Sequence, residues 1–336
     1  MTLEIRAVDP HDEIGLRAWW EVGHAATRER PGTPFPAWEV SRTALPAANP
    51  ERDTTLVGAF DGDAMVGAAL VLAPLKENLH TCGFDLYVLP ARRRAGVGSL
   101  LLADVEARAS ALGRTTLQCE AYVPPGRTGP AEQFALARGY AVASREGFKE
   151  LALDEYAARR TTLLADVGSR ADDHRIVVFD TVCPKEHVES FGRLLGMLIS
   201  EIPLGALDLE DSEWTPERLR AAEERLVSIG RHVLTALAIA PDGSVAGSSD
   251  VRVNDADPTH GQVGITLVDP AHRGRRLGLA LKIATHDLVR ATYPQCVSVD
   301  TCNAEVNTHM NAVNEALGYR SIETLLELQK VQPARG

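Results

Sequence analysis

The chain has 336 residues, too many for one comfortable domain and about right for two. Hydrophobic residues make up 45% and charged residues 24%, the balance of an ordinary water-soluble globular protein with a real core in each half. The formal net charge of −11 argues against a nucleic-acid partner, because phosphate binding needs concentrated basic surface, while it suits a cationic small molecule.

In chain order, a strand is expected at 3–8, followed by helical stretches. Two hairpin strands then meet at Asp61-Gly62, since Asp-Gly between apolar runs favours a tight turn. A third strand is expected at 83–88, a helix from Gly96, another strand at 116–120, and a short helix ending at Gly139-Tyr140. The last strand of this half is expected at 148–153, and a polar stretch at 156–173 reads as the join. The second half follows the same plan: a strand at 175–179, and a helix at 216–229 with Thr215 as N-cap and Pro216 at its first position. Hairpin strands follow around Asp242-Gly243, then a strand at 263–268, a helix from Leu277, a strand at 297–301, a short helix ending at Gly318-Tyr319, and a last strand at 323–329. The domains are thus expected at 1–156 and 174–336, with a linker at 157–173.

The two halves also match residue by residue. Leu86-Tyr87-Val88-Leu89-Pro90-Ala91-Arg92-Arg93-Arg94-Ala95-Gly96-Val97-Gly98 lies over Thr266-Leu267-Val268-Asp269-Pro270-Ala271-His272-Arg273-Gly274-Arg275-Arg276-Leu277-Gly278, with the shared Val, Pro, Arg and Gly positions 180 residues apart. Met65-Val66-Gly67 answers Val245-Ala246-Gly247, and Ala137-Arg138-Gly139-Tyr140 answers Ala316-Leu317-Gly318-Tyr319. Three separated matches in one order indicate an internal duplication.

Each repeated loop joins a strand ending at Pro to an amphipathic helix, with Leu100, Leu101, Val105 and Ala109 on one apolar face and Leu277, Leu281, Ala284 and Leu288 on the other. Such a loop is an anion cradle. The first N–H groups of a helix have no partner within it, the helix dipole adds positive charge there, glycine lets backbone approach a phosphate, and arginine supplies bidentate charge. A dinucleotide fold would need a third glycine where Leu101 stands and would carry its loop after the first strand, which disfavours a nucleotide-dependent oxidoreductase.

The run Arg93 to Gly98, after a strand ending Val-x-Pro, resembles the CoA-pyrophosphate signature of the GNAT superfamily of N-acetyltransferases, Arg/Gln-x-x-Gly-x-Gly/Ala. In the second copy Arg273 and Gly278 fit, and Arg276 replaces the first glycine. The resemblance implies two tandem acyl-CoA N-acyltransferase folds, each α/β (α+β) with a twisted, mostly antiparallel sheet flanked by helices. It implies acetyl-CoA or another acyl-CoA as co-substrate, and direct attack by an amine of a small molecule. Phosphates would be held by Arg93, Arg94, Gly96, Val97 and Gly98, and by Arg273, Gly274, Arg276, Leu277, Gly278 and Leu279. The fourth strand would bind the pantetheine arm through backbone of Leu86 and Val88, and of Thr266, Leu267 and Val268, with the Val268 N–H at the thioester oxygen.

The family commonly carries an Asn on pantetheine and a Tyr that protonates the thiolate. By that pattern Asn303 and Asn307 meet the arm, Asn307 standing eleven residues before Gly318, and Asn314 takes the tyrosine position without a titratable proton. The first half has Pro124-Pro125-Gly126 after its fifth strand and Ala135 at the tyrosine position, so it is expected to be degenerate, with catalysis in the second half. That split resembles mycothiol synthase, another tandem member, and makes acetylation of a cysteinyl amine an alternative. A non-catalytic acyl-CoA-binding protein is a further one. Glu201 is the first candidate for the general base, with His260 and Asp211 behind it. Cys302 lies near the expected thioester, where a buried inert thiol is the commoner case.

The five cysteines are scattered with no Cys-x-x-Cys, and His187 and His232 have no partner at ligand spacing, so no metal is expected. No apolar run approaches membrane-spanning length, and residues 1–10 lack a signal-peptide core. A cytoplasmic monomer or homodimer, without membrane or nucleic-acid partners, is the expectation.

Overall fold

Both Asp-Gly turns form as the sequence requires, with Gly62 and Gly243 at φ of 63° and 89°, where a side chain would be strained. They belong to a computed structural model that describes residues 3–32, 35–171 and 173–333. The chain divides into two compact units. The first comprises the described residues of Met1–Arg145, Gly205–Glu210 and Leu325–Gly336, and the second those of Glu146–Leu204 and Asp211–Thr324.

In chain order the first unit contains β1 (Leu3–Val8), α1 (Glu13–Thr27), α2 (Trp38–Ala44), β2 (Arg52–Asp61), β3 (Ala64–Pro74) and β4 (Thr81–Val88). There follow α3 (Val97–Ala111), β5 (Thr116–Val123), α4 (Pro130–Leu136) and the start of β6 (Ala141–Ala152). Its strands β1 to β4 pair antiparallel in sequence order, and β4 pairs β5 in parallel. Alternation of buried residues gives the sheet two apolar faces. Val97, Leu101, Val105 and Ala109 of α3 pack on one, while Leu16, Trp19 and Val22 of α1 pack on the other.

The second unit takes the rest of β6, then α5 (Leu153–Val167), β7 (Arg175–Asp180), α6 (Val188–Gly196), α7 (Leu198–Glu201) and α8 (Pro216–Ser228). β8 (Arg231–Ile239), β9 (Val245–Asn254), β10 (Asp257–Val268), α9 (Leu277–Thr292), β11 (Ser298–Ala304), α10 (Thr308–Leu317) and β12 (Arg320–Val331) complete it, with β12 divided between the units at Leu325. Strands β7 to β10 pair antiparallel and β10 pairs β11 in parallel, repeating the first unit. Leu277, Leu281 and Val289 of α9 pack on one face, and Val188, Phe191 and Leu194 of α6 on the other. Thr215 caps α8 as expected, its hydroxyl accepting the Arg218 N–H at 3.2 Å.

Two features differ from the expected organisation. The stretch 157–173 is no open linker: most of it is helix α5, which buries Tyr156, Leu163 and Val167 in the core of the second unit. Its polar residues are the outer face of an amphipathic helix, which composition alone reads as a join. The final strands also change places. The strand expected at 148–153 to finish the first half is part of β6, whose residues 146–152 pair antiparallel with β11 from Ala152↔Ser298 to Glu146↔Ala304. The outer edge of β5 is instead covered by the end of β12, where Leu326 and Leu328 are buried and Gln118 Nε2 donates to Gln329 Oε1 at 2.9 Å.

Candidate active site

Each unit holds a forked pair of parallel strands. β10 and β11 pair only from His260↔Ser298 to Gln262↔Asp300, and β4 and β5 only from Thr81↔Thr116 to Gly83↔Gln118. Beyond those points the strands separate, so one edge of residues 263–268 and of 84–88 is left open to a ligand's amides. In the second unit a bulge marks the vertex: the register slips between Val263 and Thr266. Asp250 holds that bulge by accepting the Ile265 N–H at 2.9 Å. A Cβ on Gly264 would meet Asp250 Oδ1 at 2.1 Å, so only glycine fits there.

At the end of each open strand lies the repeated loop, and its geometry is duplicated to the hydrogen bond. Arg93 Nε donates to Val88 O at 3.4 Å, and Arg273 Nε donates to Val268 O at 3.2 Å. Both loops need two left-handed residues, and each copy places its glycine at a different one. In the first, Arg94 (φ 63°) and Gly96 (85°) take these positions; in the second, Gly274 (81°) and Arg276 (59°) do. Arg276 therefore keeps the backbone of the glycine it replaces, at a strain of about 1 kcal/mol. Its guanidinium turns to Asp166 at 3.1 Å. Arg275 pairs with Asp173 at 3.3 Å, and Arg273 pairs with Glu201. Neither α3 nor α9 has a side-chain N-cap, so both present free N–H groups and a dipole to an anion.

The copies differ where an anion's tail would lie. A Cβ on Gly278 would meet nothing within 4 Å, whereas one on Gly98 would meet the Phe134 ring at 3.3 Å. Arg138 lies over that ring, 3.6 Å from its centroid, and donates to Ser99 Oγ at 2.6 Å at the start of α3. The start of α3 is thus covered by its own unit's side chains, and the start of α9 at Gly278 is open.

Leu277 and Leu279 are buried in the core, so only their backbone faces the loop. Asn307 is the N-cap of α10, its Oδ1 accepting the Met310 N–H at 3.2 Å, which leaves only its Nδ2 for a ligand. Asn314 is fully buried and donates to Asn303 Oδ1, while among the described residues its own Oδ1 has no partner. Glu201, expected as a base, pairs with Arg273 at the repeated loop, where α7 ends. Val268 is likewise at the loop end of its strand, three residues, or about 10 Å, from the vertex near Ile265. Thr266 Oγ1 is tied to Ser249 Oγ at 2.9 Å, so this residue offers a ligand its backbone. Asp211 accepts the Ser200 N–H at 3.0 Å. His260 pairs with Asp300 at 2.6 Å at the closed base of the fork; burial opposes its charge, but the Asp300 hydrogen bond and charge prevail and raise its pKa.

Two groups were not singled out in the sequence. Lys282 on α9 is 1% exposed, and among the described residues its ammonium has no hydrogen-bond partner. Burial, then the charge of Lys149, lowers its pKa to about 7 against the opposing pull of Asp250. In the first unit Asp85 on β4 lies just past the fork. Burial, then Glu120, raises its pKa to about 6, against its hydrogen bond from Tyr87 and the charges of Arg52 and Arg30. A charge inside an apolar helix face and an acid inside a strand were the available signals.

Among the described residues no helix is long and apolar enough to cross a membrane, and no three His, Cys, Asp or Glu side chains gather as a metal site. A search of the curated proteins found no match. The model of the Acetyltransferase (GNAT) family matches residues 19–126, inside the first half. A solved tandem GNAT protein from the clavulanic acid biosynthesis pathway superposes over 100% of both chains with a TM-score of 0.82 and 26% identity. A GCN5-related N-acetyltransferase from Sphaerobacter thermophilus covers 99% of this chain and 97% of its own, with a TM-score of 0.63 and 18% identity. N-myristoyltransferase from Saccharomyces cerevisiae, solved with bound myristoyl-CoA, shares the fold at a TM-score of 0.61 and 12% identity, over 99% of this chain and 80% of its own. Two forked sheets and two copies of one loop thus accompany the fold of a solved tandem GNAT protein, and the GNAT family model itself matches residues 19–126 of this chain.

Proposed function

We propose that the chain transfers an acyl group, acetyl first among them, from acyl-CoA to the amine of a small molecule, and that the second unit does the chemistry. The observation that carries the choice of unit is the open space over Gly278, against the Phe134 ring over Gly98. The N–H groups of Leu277, Gly278 and Leu279 and the guanidinium of Arg273 receive the pyrophosphate, with Glu201 giving way to it. Gly274 and Arg276 shape the loop, and backbone of Thr266, Leu267 and Val268 meets the pantetheine arm, with Asn303 and Asn307 on its far side. The thioester then lies toward the vertex, where an oriented N–H in a dry cleft stabilises the oxyanion. The amine attacks directly, and no acyl-enzyme is needed. Asn314 replaces a proton donor only as a hydrogen-bond donor.

A second reading places the chemistry in the first unit, with phosphate at Arg93, Arg94, Gly96, Val97 and Gly98 and the arm on Leu86 and Val88. Two observations favour it: the family model matches there, and Asp85, with a pKa of about 6, is suited to take a proton from an ammonium. Thiol release from acetyl-CoA across a panel of small amines, a cysteinyl amine included, tests the function. Turnover abolished by Arg273→Ala supports the second unit, and turnover abolished by Asp85→Asn with Arg273→Ala active supports the first. Tight CoA binding with no turnover on any amine would make the chain a binding protein.

A further inference from the structure

A buried lysine without a hydrogen-bond partner is costly, because desolvation disfavours its charge and a carboxylate at a distance repays it only in part. Lys282 is such a residue, and its place in the fold supplies a partner. Gly278, Lys282 and His286 stand four residues apart on α9, hence on one face. Gly278 opens onto the groove, so a CoA arm that starts there and runs along the helix passes Lys282 one turn on. The charges acting on Lys282 bracket the fork. Lys149, on β6, pairs with Thr301 just past the last β10–β11 pair, and Asp250, on β9, holds the bulge at the vertex. The Lys282 ammonium is 5.1 Å from the centroid of the Tyr319 ring, whose hydroxyl is 2.8 Å from His286 Nε2. Burial and Lys282 itself lower the His286 pKa to about 3, so that ring is neutral beside the ammonium. Tyr156 of α5 closes the far side, its ring 5.1 Å from that of His286. In the first unit Leu102 occupies the position of Lys282.

We infer that Lys282 is the acid of the reaction, its ammonium facing the thioester sulfur near the fork vertex and protonating the departing CoA thiolate. This rests on the acyl-transfer reading above and on the second unit as the working one. As the amine nitrogen bonds to the thioester carbon, the C–S bond breaks and its electron pair goes to sulfur. A Lys282 N–H proton moves to that sulfur, giving free CoA thiol and a neutral amine. The ammonium loses one proton to solvent before attack and the amide nitrogen a second after it, and one from solvent restores Lys282, so one proton is released overall. The missing tyrosine at position 314 is thereby replaced from another helix. A pKa of about 7 suits the task, since the lysine is largely charged below neutrality and gives up its proton readily.

The test is the ionisation of CoA bound to the full chain, read from thiolate absorbance against pH and needing no acceptor amine. In the wild type, at pH 7 and below where Lys282 is charged, the bound thiol should ionise at least tenfold more readily than a free thiol of pKa about 8.5. In Lys282→Met and Lys282→Gln it should return to the free value or above, and Lys282→Arg should keep the lowered value. With an acceptor, Lys282→Met should lower kcat about 100-fold and leave KM for acyl-CoA unchanged. A wild-type thiol that titrates as free CoA does, or one that titrates alike in wild type and Lys282→Met, overturns the role of Lys282 and leaves acyl transfer standing. Failure of the wild type to bind CoA at all removes both.

Discussion

Glu201 is the residue whose position changes its meaning most. Its carboxylate occupies the Arg273 guanidinium, and in the proposed reaction it competes there with a phosphate of the co-substrate. Glu201→Gln should therefore tighten CoA binding, by about 3-fold for an exposed ion pair worth under about 1 kcal/mol, and leave kcat intact. A general base would behave oppositely, with kcat falling and affinity unchanged; steady-state kinetics with calorimetry separates the two. At this scale the sequence exposes backbone demands well and side-chain partners poorly. The glycine pattern locates both loops, because a left-handed residue and a phosphate cradle each restrict composition. It does not show that Arg276 can stand in a glycine's conformation, nor that Arg273 and Glu201, 72 residues apart, meet. Asn307 reads equally as cap and as ligand in a sequence, and its bond to Met310 makes the cap certain.

At the scale of elements the fork and helix α9 carry the account. The order of strands and helices is legible because hairpin signals, N-caps and periodicity are local properties. The fork is not legible from pattern, since only the pairing register shows where its strands part. Lys282 breaks the apolar face of α9, and a break in a pattern is where function is expected. Its burial also has a thermodynamic signature. Its pKa falls from 10.5 to about 7 on folding, so between those values the unfolded chain binds more protons, and stability from this group rises with pH. Lys282→Met should thus be more stable than wild type at pH 7, by about 1–4 kcal/mol, and the gap should narrow toward pH 10. Melting at several pH values checks this. A gap that is constant or widens with pH would mean that the ammonium is not desolvated. The Phe134 ring over Gly98 is the matching feature of the first unit, where the loop survives and the start of α3 is covered.

For the whole molecule, the duplication is plain in the sequence and the composition of each unit is not. Both final strands follow a Gly-Tyr at a helix end, so nothing local tells residues 146–152 to join β11, or residues 325–331 to join the first unit. A chain cut to 1–156 would lack Leu326 and Leu328 from its core, each loss worth about 2–5 kcal/mol, which approaches the whole stability of a domain. Residues 1–156 alone should be insoluble or unfolded by circular dichroism, and co-expression with 157–336 should restore a folded pair. A soluble 1–156 with a cooperative melt would contradict this strand arrangement. The central claim, that acyl-CoA works in the second unit, is tested most directly by titrating CoA into wild type, Gly278→Glu and Gly98→Glu by calorimetry. Gly278→Glu puts an anion at the open start of α9 without a clash, and should weaken binding more than 10-fold with the melting temperature unchanged, while Gly98→Glu should leave that site intact. Binding untouched by Gly278→Glu and lost in Gly98→Glu would move the working site to the first unit and contradict the account.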